Sequence, residues 1–228
     1  MTVTLITGGN KGIGFETARQ LLELGHNVYI GARDVERGEK AAAELGARFV
    51  QLDVTDDASV NDALATINSA EGRLDVLVNN AGILGDGPLS GPKALRVFDT
   101  NAVGIVRVTE AALPLLRKSS NPTAVTVSSS LGSFWAVTNP ERPEYNLPAA
   151  LYAASKSAAT MLTIQYAKAN PGIKFNAIEP GATATDLTAA YGFGRSPAES
   201  AKTVVHLATL GPDGPTGTFT DEFGPFNW

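Results

Sequence analysis

The sequence predicts a doubly wound α/β domain, in which a parallel sheet of about seven strands carries helices on both faces. Short β-branched, apolar runs alternate with helical segments along the whole chain, and this order builds parallel sheets. The first such run ends in a glycine-rich turn that opens a helix, which is the start of a strand–helix–strand unit. The 228 residues contain no linker-like stretch. We therefore expect residues 1–228 to form a single domain.

Composition narrows the class of protein. The hydrophobic fraction is 43% and the charged fraction 18%, as in a soluble protein with a real core. The net charge of −5 gives no broad basic surface, so we expect no nucleic-acid partner. The chain has no cysteine, and therefore no disulfide, thiolate metal site or cysteine nucleophile. No apolar run could span a bilayer, and the start of the chain does not resemble a signal peptide, which predicts a cytoplasmic protein.

The secondary-structure elements are predicted in chain order. Strands are predicted from buried apolar runs, and helices from a 3.6-residue periodicity of apolar residues. Strands are predicted at Val3–Ile6, Asn27–Ala32, Arg48–Leu52, Leu74–Val78, Thr123–Val127, Ile173–Ile178 and Thr216–Thr220. Helices are predicted at Phe15–Leu24, Glu36–Leu45, Ser59–Ala70, Leu95–Lys118 (broken near Pro114), a segment from Leu151 to about Ala169, and Pro197–Leu210. Three prolines predict a loop over 134–150, and the aromatic tail from Phe223 to Trp228 reads as irregular.

The glycine-rich turn carries the first functional signal. Gly8 allows a sharp turn, Gly12 allows close approach to a diphosphate, and Gly14 allows the helix to pack on the strand. The free N–H groups and the positive dipole end of the helix favour phosphate. A glycine-rich loop without a ligand is the alternative. The strand before it and the helix after it favour a Rossmann-type dinucleotide site.

The end of the second strand bears on the choice between NAD and NADP. NAD sites place a carboxylate there for the ribose 2′-hydroxyl, whereas NADP sites use arginine. Ala32 is not acidic, while Arg33 and Arg37 follow it and Lys11 lies in the glycine turn. Two carboxylates lie next to these cations in the sequence, so the alternative interpretation of this segment is a solvated helix start of mixed charge. Three cations favour NADP, because its 2′-phosphate needs them.

Tyr152 and Lys156 lie four residues apart in an alanine-rich stretch without internal glycine or proline. On a helix this spacing puts both side chains on one face. The ammonium favours phenolate, so the pKa of the tyrosine is expected to fall from about 10 toward the working range. Such a phenol can give or take a proton near neutral pH. Taken alone, the pair is more often a coincidence of spacing.

Other polar residues fall where strands end. Asp53 follows the third strand and residues 79–82, Asn-Asn-Ala-Gly, follow the fourth, at the edge where parallel sheets bind ligands. Asn101 lies within a predicted helix, where a solvent-facing position is favoured from the residues alone. Ser128, Ser129 and Ser130 follow the fifth strand. They could cap a turn, or one could donate a hydrogen bond to a substrate oxygen.

In this order the motifs resemble the short-chain dehydrogenases/reductases over nearly the whole chain. The matching pieces are Thr7-Gly8-x-x-x-Gly12-x-Gly14, Asp53, Asn79-Asn80-Ala81-Gly82, Asn101, Ser129, Tyr152-x-x-x-Lys156 and Pro180-Gly181-x-Thr183. The arginines after the second strand and the chain's final residues look most like the NADPH-dependent carbonyl-reductase branch. The resemblance implies the same Rossmann-type fold and hydride transfer between a nicotinamide and a carbonyl carbon.

The resemblance also implies roles. Tyr152 would be the general acid in carbonyl reduction and the base in alcohol oxidation. Lys156 would assist Tyr152 and bond the nicotinamide ribose, Ser129 would polarise the substrate carbonyl, and Asn101 would hold a water that links Lys156 to solvent. Ser129 is preferred to its neighbours because family members place this serine three residues before a glycine, here Gly132.

Cofactor and substrate residues complete the expectation. Residues expected to bind NADP(H) are Gly8, Asn10, Lys11, Gly12, Ile13, Gly14, Arg33, Arg37, Asp53, Val54, Asn80, Ala81, Gly82, Tyr152, Lys156, Pro180, Gly181 and Thr183. Substrate contacts are expected from Ser129 and from the aromatic residues Phe134, Trp135 and Tyr191, although ordinary packing is an equal alternative for each aromatic residue. No metal site is expected.

The expected function is NADP(H)-dependent reduction of an aldehyde or ketone. The rivals are an NAD-dependent alcohol dehydrogenase and a non-catalytic regulator that senses NADP(H). Two departures from the family pattern stand out. Ser129 and Tyr152 are about twice as far apart in sequence as is usual in the family, and Glu179 replaces a small or polar residue before Pro180. Monomer and homo-oligomer both remain open.

Overall fold

The computed structural model describes residues 1–85, 87–189 and 194–228. Its strands are β1 (Val3–Thr7), β2 (Asn27–Ala32), β3 (Arg48–Gln51), β4 (Val76–Asn79), β5 (Thr123–Val127), β6 (Lys174–Ile178), β7 (Thr218–Asp221) and β8 (Gly224–Pro225). Within the described ranges they form one eight-stranded sheet in the order β3-β2-β1-β4-β5-β6-β7-β8. All neighbours are parallel except β8, which pairs antiparallel with β7. The predicted fold class is confirmed.

The helices cover both faces of the sheet. They are α1 (Gly12–Glu23), α2 (Val35–Leu45), α3 (Asp57–Glu71), α4 (Gly91–Phe98), α5 (Gly104–Leu116), α6 (Phe134–Thr138), α7 (Ala150–Ala169) and α8 (Pro197–Ala208). Successive side chains of a strand point to opposite faces. Leu5 accordingly packs in the core cluster with α3 and α5, whereas its neighbour Ile6 packs in the cluster with α1, α2 and α8. Burial on both faces explains why β1, β4, β5 and β6 are apolar-rich runs buried at every position.

The topology places a reversal of strand order at β1 and β4. β1 pairs with β2 on one side and with β4 on the other, so the chain leaves β1 and β4 in opposite directions. In open α/β sheets ligands bind at this reversal point. The glycine turn after β1 and the Asn-Ala-Gly segment after β4 therefore face one another.

The helix predicted over 95–118 is interrupted, but the predicted position of the break, near Pro114, is wrong. The interruption is a π-helical turn at Asp99–Val103 between α4 and α5, and Pro114 lies in the last turn of α5 without ending it. Single π-helical turns occur frequently at functional sites. Asn101 lies in this turn and is 1% exposed, so the solvent-facing position favoured by its residue type is also wrong.

Two segments expected to be irregular are partly ordered. Residues 134–150 hold the short helix α6 and a 3₁₀ turn at Pro143–Asn146. The hydroxyl of Ser133 caps α6 by accepting from the N–H of Ala136 at 3.0 Å, and proline at the first position of the 3₁₀ turn fits its fixed φ. In the tail, β8 extends the sheet and Phe226 is buried against Phe219.

Candidate active site

Helix α7 brings Tyr152 and Lys156 to one face, as their spacing predicts. The ammonium of Lys156 lies 5.6 Å from the centre of the Tyr152 ring and donates a 2.6 Å hydrogen bond to the carbonyl oxygen of Val127, the last residue of β5. Lys156 is only 4% exposed. Burial lowers the pKa of this ammonium to about 8, and the negative charge of Glu179 acts in the opposite direction. The site therefore contains a buried cation at the carboxyl end of the central strands.

The turn after β5 separates the roles of the three serines. The buried Ser128 hydroxyl donates to the carbonyl oxygen of Lys156 at 3.2 Å and shares a 2.6 Å bond with the Thr160 hydroxyl. The N–H of Ser130 donates to the Glu179 carboxylate. Ser129 Oγ accepts from the N–H of Leu131 at 3.2 Å, which uses a lone pair rather than the hydroxyl hydrogen. Ser129 is also half-buried rather than buried, so it is the serine best placed to donate to a substrate.

This serine turn is held tightly against α7. A methyl group at Gly132 would lie 2.7 Å from the carbonyl carbon of Lys156 and 2.8 Å from the nitrogen of Ser157, closer than real side chains approach backbone. The hydroxyl of Ser157 donates to the carbonyl oxygen of Gly132 at 2.7 Å. The 22 residues between Ser129 and Tyr152 therefore loop away and return without separating the turn from the helix.

Asn101 is tied into the site from the opposite side. Its Oδ1 accepts from the N–H of Ile83 at 2.9 Å, and its Nδ2 donates to the Ile83 carbonyl oxygen at 2.8 Å and to Ser155 Oγ at 2.9 Å. Gly82 lies beside both groups, since a methyl group there would be 3.5 Å from Asn101 Oδ1 and 3.5 Å from Lys156 Nζ. The structure therefore places Asn101 next to the buried ammonium.

The glycine turn has the shape required of a phosphate site. Gly8 and Gly12 have φ of 64° and 57°, which only glycine adopts readily. A methyl group at Gly14 would lie 2.5 Å from Asn80 Nδ2 and 2.6 Å from the Gly8 carbonyl oxygen. Lys11 precedes α1 without a side-chain cap, and no acidic residue lies in the first turn. The N–H groups of this helix end are thus left for an external anion, which fits the diphosphate of a dinucleotide.

The three predicted cations lie on exposed positions. Arg33 and Arg37 are exposed, and Arg37 pairs only loosely with Asp34, at 3.8 Å. Lys11 forms a 2.9 Å ion pair with Asp186. Lys11 lowers the pKa of Asp186, and Arg37 acts on it in the same direction. Arg37 and Lys11 therefore act on the same carboxylate, although they come from different turns.

The remaining predicted cofactor residues fall along the same edge. Asp53 Oδ1 accepts from the N–H and the hydroxyl of Thr55 at 2.9 and 2.7 Å. Asn80 Nδ2 donates to the carbonyl oxygens of Thr7 and Gly8 at 2.9 and 3.1 Å, so its amide group shapes the glycine turn from within. The other members of the predicted set at this edge are Asn10, Ile13, Val54 and Ala81, of which Val54 is buried and the others half-buried.

Beyond β6, Pro180, Gly181 and Thr183 are fixed by protein contacts. Thr183 is 4% exposed, and its hydroxyl contacts the Gly181 carbonyl oxygen at 2.8 Å and Ser200 Oγ at 2.5 Å. The guanidinium of Arg195 donates to the Pro180 carbonyl oxygen through Nε at 3.0 Å and also through Nη2. The bonds of Arg195 and Ser155 were not predicted, and no sequence pattern indicated either one. Glu179, which precedes Pro180, departs from the family pattern, and the sequence alone indicates no role for it.

The aromatic residues predicted for the substrate differ in their surroundings. Phe134 is 73% exposed. Trp135 packs edge-on against Phe226 at 6.0 Å, and the guanidinium of Arg142 lies 5.5 Å from its ring centre, which is the packing alternative. Tyr191 lies outside the described residues. Substrate contact by Phe134 and Trp135 stays a prediction.

The described ranges contain neither a cluster of metal ligands nor a membrane-spanning helix. Among residues 1–85, 87–189 and 194–228, no three His, Asp or Glu side chains are grouped as metal ligands would be. In the same ranges, no helix combines the length and the apolar character needed to cross a bilayer.

Known proteins share both the sequence and the shape of this chain. The family model "short chain dehydrogenase" matches residues 2–194. The short-chain dehydrogenase/reductase ATR10 of Stachybotrys chlorohalonatus is 36% identical over 247 aligned residues, with 97% of this chain and 88% of the relative covered. The structure of salutaridine reductase from Papaver somniferum superposes with a TM-score of 0.87 at 29% identity, covering 97% of this chain and all of the other. A variant of actinorhodin polyketide ketoreductase with NADPH gives 0.85 at 27% identity, covering 97% and 95%.

Proposed function

Because the chain belongs to the short-chain dehydrogenase/reductase family, and is therefore a nicotinamide-dependent oxidoreductase, we propose that it is an NADP(H)-dependent enzyme that reduces an aldehyde or ketone to an alcohol. Tyr152 is the general acid of this reaction. Relatives named as reductases and a ketoreductase crystallised with NADPH support a small-molecule carbonyl substrate.

The observation that carries the proposal is the buried ammonium of Lys156 beside the Tyr152 ring. A cation held in a low-dielectric site interacts strongly with a neighbouring phenol, because water does not screen it. It stabilises the phenolate that forms when Tyr152 gives its proton to the substrate oxygen. A merely structural lysine would gain nothing from burial, which costs free energy unless the charge is used or paired.

The proton is delivered to a carbonyl oxygen that Ser129 orients. Its hydroxyl hydrogen is not used by the bond from Leu131, so it can donate to that oxygen while Tyr152 protonates it. When bound, the reduced nicotinamide supplies the hydride. After Tyr152 has given its proton to the substrate, the ammonium of Lys156 stabilises the phenolate until Tyr152 regains a proton. Asn101, which approaches the same spot beside Gly82, is assigned to the path by which that proton arrives from solvent.

The preference for NADP(H) rests on charge. The uncapped end of α1 and the glycine turn suit the diphosphate shared by both nicotinamide cofactors. Only the 2′-phosphate of NADP requires additional cations. Arg33 directly follows β2, Arg37 lies in the first turn of α2, and both are exposed. An arginine can hold a phosphate through two parallel hydrogen bonds. Lys11 would have to exchange Asp186 for the phosphate, so Arg33 and Arg37 are the main determinants.

The test is NADPH consumption, followed by its absorbance, with a panel of aromatic and aliphatic aldehydes and ketones. We expect turnover with at least one member of the panel. Tyr152→Phe should retain NADPH binding and lose about 10²–10⁴-fold in kcat, the usual contribution of a general acid. Tyr145→Phe, at an exposed tyrosine of the 3₁₀ turn, is the matched control and should keep full activity.

Two outcomes would contradict the proposal. Tight NADPH binding without turnover of any carbonyl or alcohol would favour a sensor of the cofactor. An equal rate in Tyr152→Phe would remove Tyr152 from the chemistry.

A further inference from the structure

Glu179 is a buried acid with no role in the proposed reaction. It follows β6 directly, is 8% exposed, and lies between two turns of the active site. One carboxylate oxygen accepts from the N–H of Ser130, and the other accepts from the N–H of Gly181 at 2.8 Å. Ser130 is the neighbour of Ser129, and Gly181 belongs to the turn after β6 that is expected to bind NADP(H). A single carboxylate thus links the substrate side and the cofactor side of the site.

The charge of this carboxylate is also directed at Lys156. The Glu179 carboxylate acts to raise the pKa of the buried ammonium, against the larger effect of burial. Glu179 is near this ammonium in the sheet, because it follows Ile178, whose register partner Val127 accepts the hydrogen bond of Lys156. Lys156 bonds a backbone carbonyl rather than a carboxylate, so Glu179 provides the negative charge that keeps the ammonium favourable in its buried position.

Other charged groups near Glu179 affect the pKa of its carboxyl group. Burial raises its pKa, and the charge of Glu144 in the 3₁₀ turn adds to this effect. The two N–H donors and the guanidinium of Arg195 act in the opposite direction. Glu144 is itself neutralised by Arg142, through bonds of 3.0 and 2.8 Å. Arg195 in turn binds Glu222 at 2.6 Å. The pKa of Glu179 is raised on balance, with burial as the largest cause, and the two N–H bonds and the nearby guanidinium limit this rise by stabilising the carboxylate.

We propose that Glu179 is a positioning residue for the reaction: its carboxylate ties the Ser129 turn to the Pro180–Gly181 turn, and its charge stabilises the Lys156 ammonium. The inference rests on the proposed function and adds a residue to it. Glu179 acts by fixing the distance between the serine that orients the carbonyl and the turn expected to bind NADP(H), and by maintaining the cation beside Tyr152.

The first test separates charge from shape. Glu179→Gln keeps the size and one acceptor oxygen but removes the charge, and Glu179→Asp keeps the charge but is too short to reach both N–H groups. Glu110→Gln, which removes an exposed carboxylate that accepts from the Tyr166 hydroxyl at 2.9 Å, is the control for charge. The pH dependence of kcat is measured in both reaction directions.

For Glu179→Gln we expect the alkaline limb of reduction and the acid limb of oxidation to move together to lower pH. The loss of a negative charge disfavours protonation of the Lys156–Tyr152 pair as a whole. For Glu179→Asp we expect limbs near their original positions but about a tenfold loss of kcat, as for a lost buried hydrogen bond. Glu110→Gln should change neither. Profiles of Glu179→Gln that superimpose on the parent, with only a lower melting temperature, would show a structural role and overturn the inference.

A second readout does not need turnover. The absorbance of tyrosinate is titrated in each protein, and the same titration of its Tyr152→Phe counterpart is subtracted, which isolates residue 152. We expect the midpoint to fall in Glu179→Gln and to stay unchanged in Glu110→Gln. A parent protein without turnover would sink the proposed function alone, whereas an unmoved midpoint would sink the role of Glu179. If Glu179→Gln does not fold, Glu179→Asp with full activity would equally overturn the tie between the turns.

Discussion

Asn101 holds the start of α7 through Ser155: its Nδ2 donates to Ser155 Oγ at 2.9 Å, and Ser155 Oγ donates to the carbonyl oxygen of Tyr152 at 2.7 Å. Asn101 lies in the π-helical turn between α4 and α5, and its other two bonds go to Ile83. Both Asn101 and Ser155 are buried. The side chain therefore fastens the segment after β4 to the turn of α7 that carries Tyr152.

Removing Asn101 should lower the stability of the folded protein. Asn101→Ala leaves the N–H and the carbonyl of Ile83 and the hydroxyl of Ser155 without this partner, so we expect a loss of about 1–3 kcal/mol in the free energy of unfolding. Ser155→Ala removes two bonds rather than three and should cost less. A double-mutant cycle by urea unfolding should show a coupling of about 0.5–3 kcal/mol. Strict additivity would mean that the Asn101–Ser155 bond carries no stability of its own.

A methyl group at Gly14 should disrupt the glycine turn. In Gly14→Ala the new carbon would meet Asn80 Nδ2 and the Gly8 carbonyl oxygen at 2.5 and 2.6 Å, so the helix must move away from the strand. We expect a loss of about 1–3 kcal/mol, the usual cost of overpacking, and weaker binding of both NADPH and NADH. Thermal unfolding and fluorescence titration measure these effects.

Gly172→Ala is the matched control for this experiment. A methyl group there meets nothing within 4 Å, and the residue does not have a positive φ. The variant should unfold within about 0.5 kcal/mol of the parent, as surface substitutions usually do. Equal stability of Gly14→Ala and Gly172→Ala would mean that the turn adapts without cost.

The sequence predicts the frame of this site better than its interior. Local pattern is sufficient for strands β1 to β7 and for α7, because alternation of strands and helices is a property of consecutive residues. The helical spacing of Tyr152 and Lys156 is of the same kind. The π-helical turn at Asp99–Val103 is different, since Asn101 is drawn inward by partners 18 and 54 residues away. Residue type alone favours a solvent-facing position for Asn101.

The contacts of Glu179 and Trp135 depend on tertiary structure in the same way. An acid before Pro180 is visible as an oddity, but its two N–H partners come from different turns. Trp135 meets Phe226, which is 91 positions later in the chain. An aromatic residue type is equally compatible with burial and with ligand binding. Here the position of the C-terminal tail determines that Trp135 packs against Phe226.

The pKa of Lys156 predicts a dependence of stability on pH. Burial lowers it to about 8 from the value of 10.5 expected in the unfolded chain, so above pH 8 the unfolded chain binds more protons at this residue. Stability must then rise with pH through this residue, by about 1–3 kcal/mol between pH 8 and 10.5. The cost of the buried charge is fully present below pH 8.

Lys156→Met removes this titration and gives the measurement. The free energy of unfolding of the parent, minus that of the variant, should increase from pH 7 to pH 10. The loss of the bond to Val127 does not depend on pH and cancels in that change. Lys168→Met, at an exposed position of the same helix, should give a difference that changes less. A parent–variant difference independent of pH would mean that Lys156 keeps an ordinary pKa in the folded protein.

The two arginines at the end of β2 should decide between the nicotinamide cofactors. Arg33→Ala and Arg37→Ala each remove a cation expected at the 2′-phosphate, so we expect about tenfold or greater loss of NADPH affinity, since a charge-assisted hydrogen bond contributes about 1.5–3 kcal/mol. NADH affinity should stay within about twofold, because NADH lacks that phosphate. Arg117→Ala, whose guanidinium binds Asn170 at 3.0 Å, is the control for charge. Equal losses for NADPH and NADH would assign the arginines to general attraction, and an unchanged NADPH affinity would place the 2′-phosphate elsewhere.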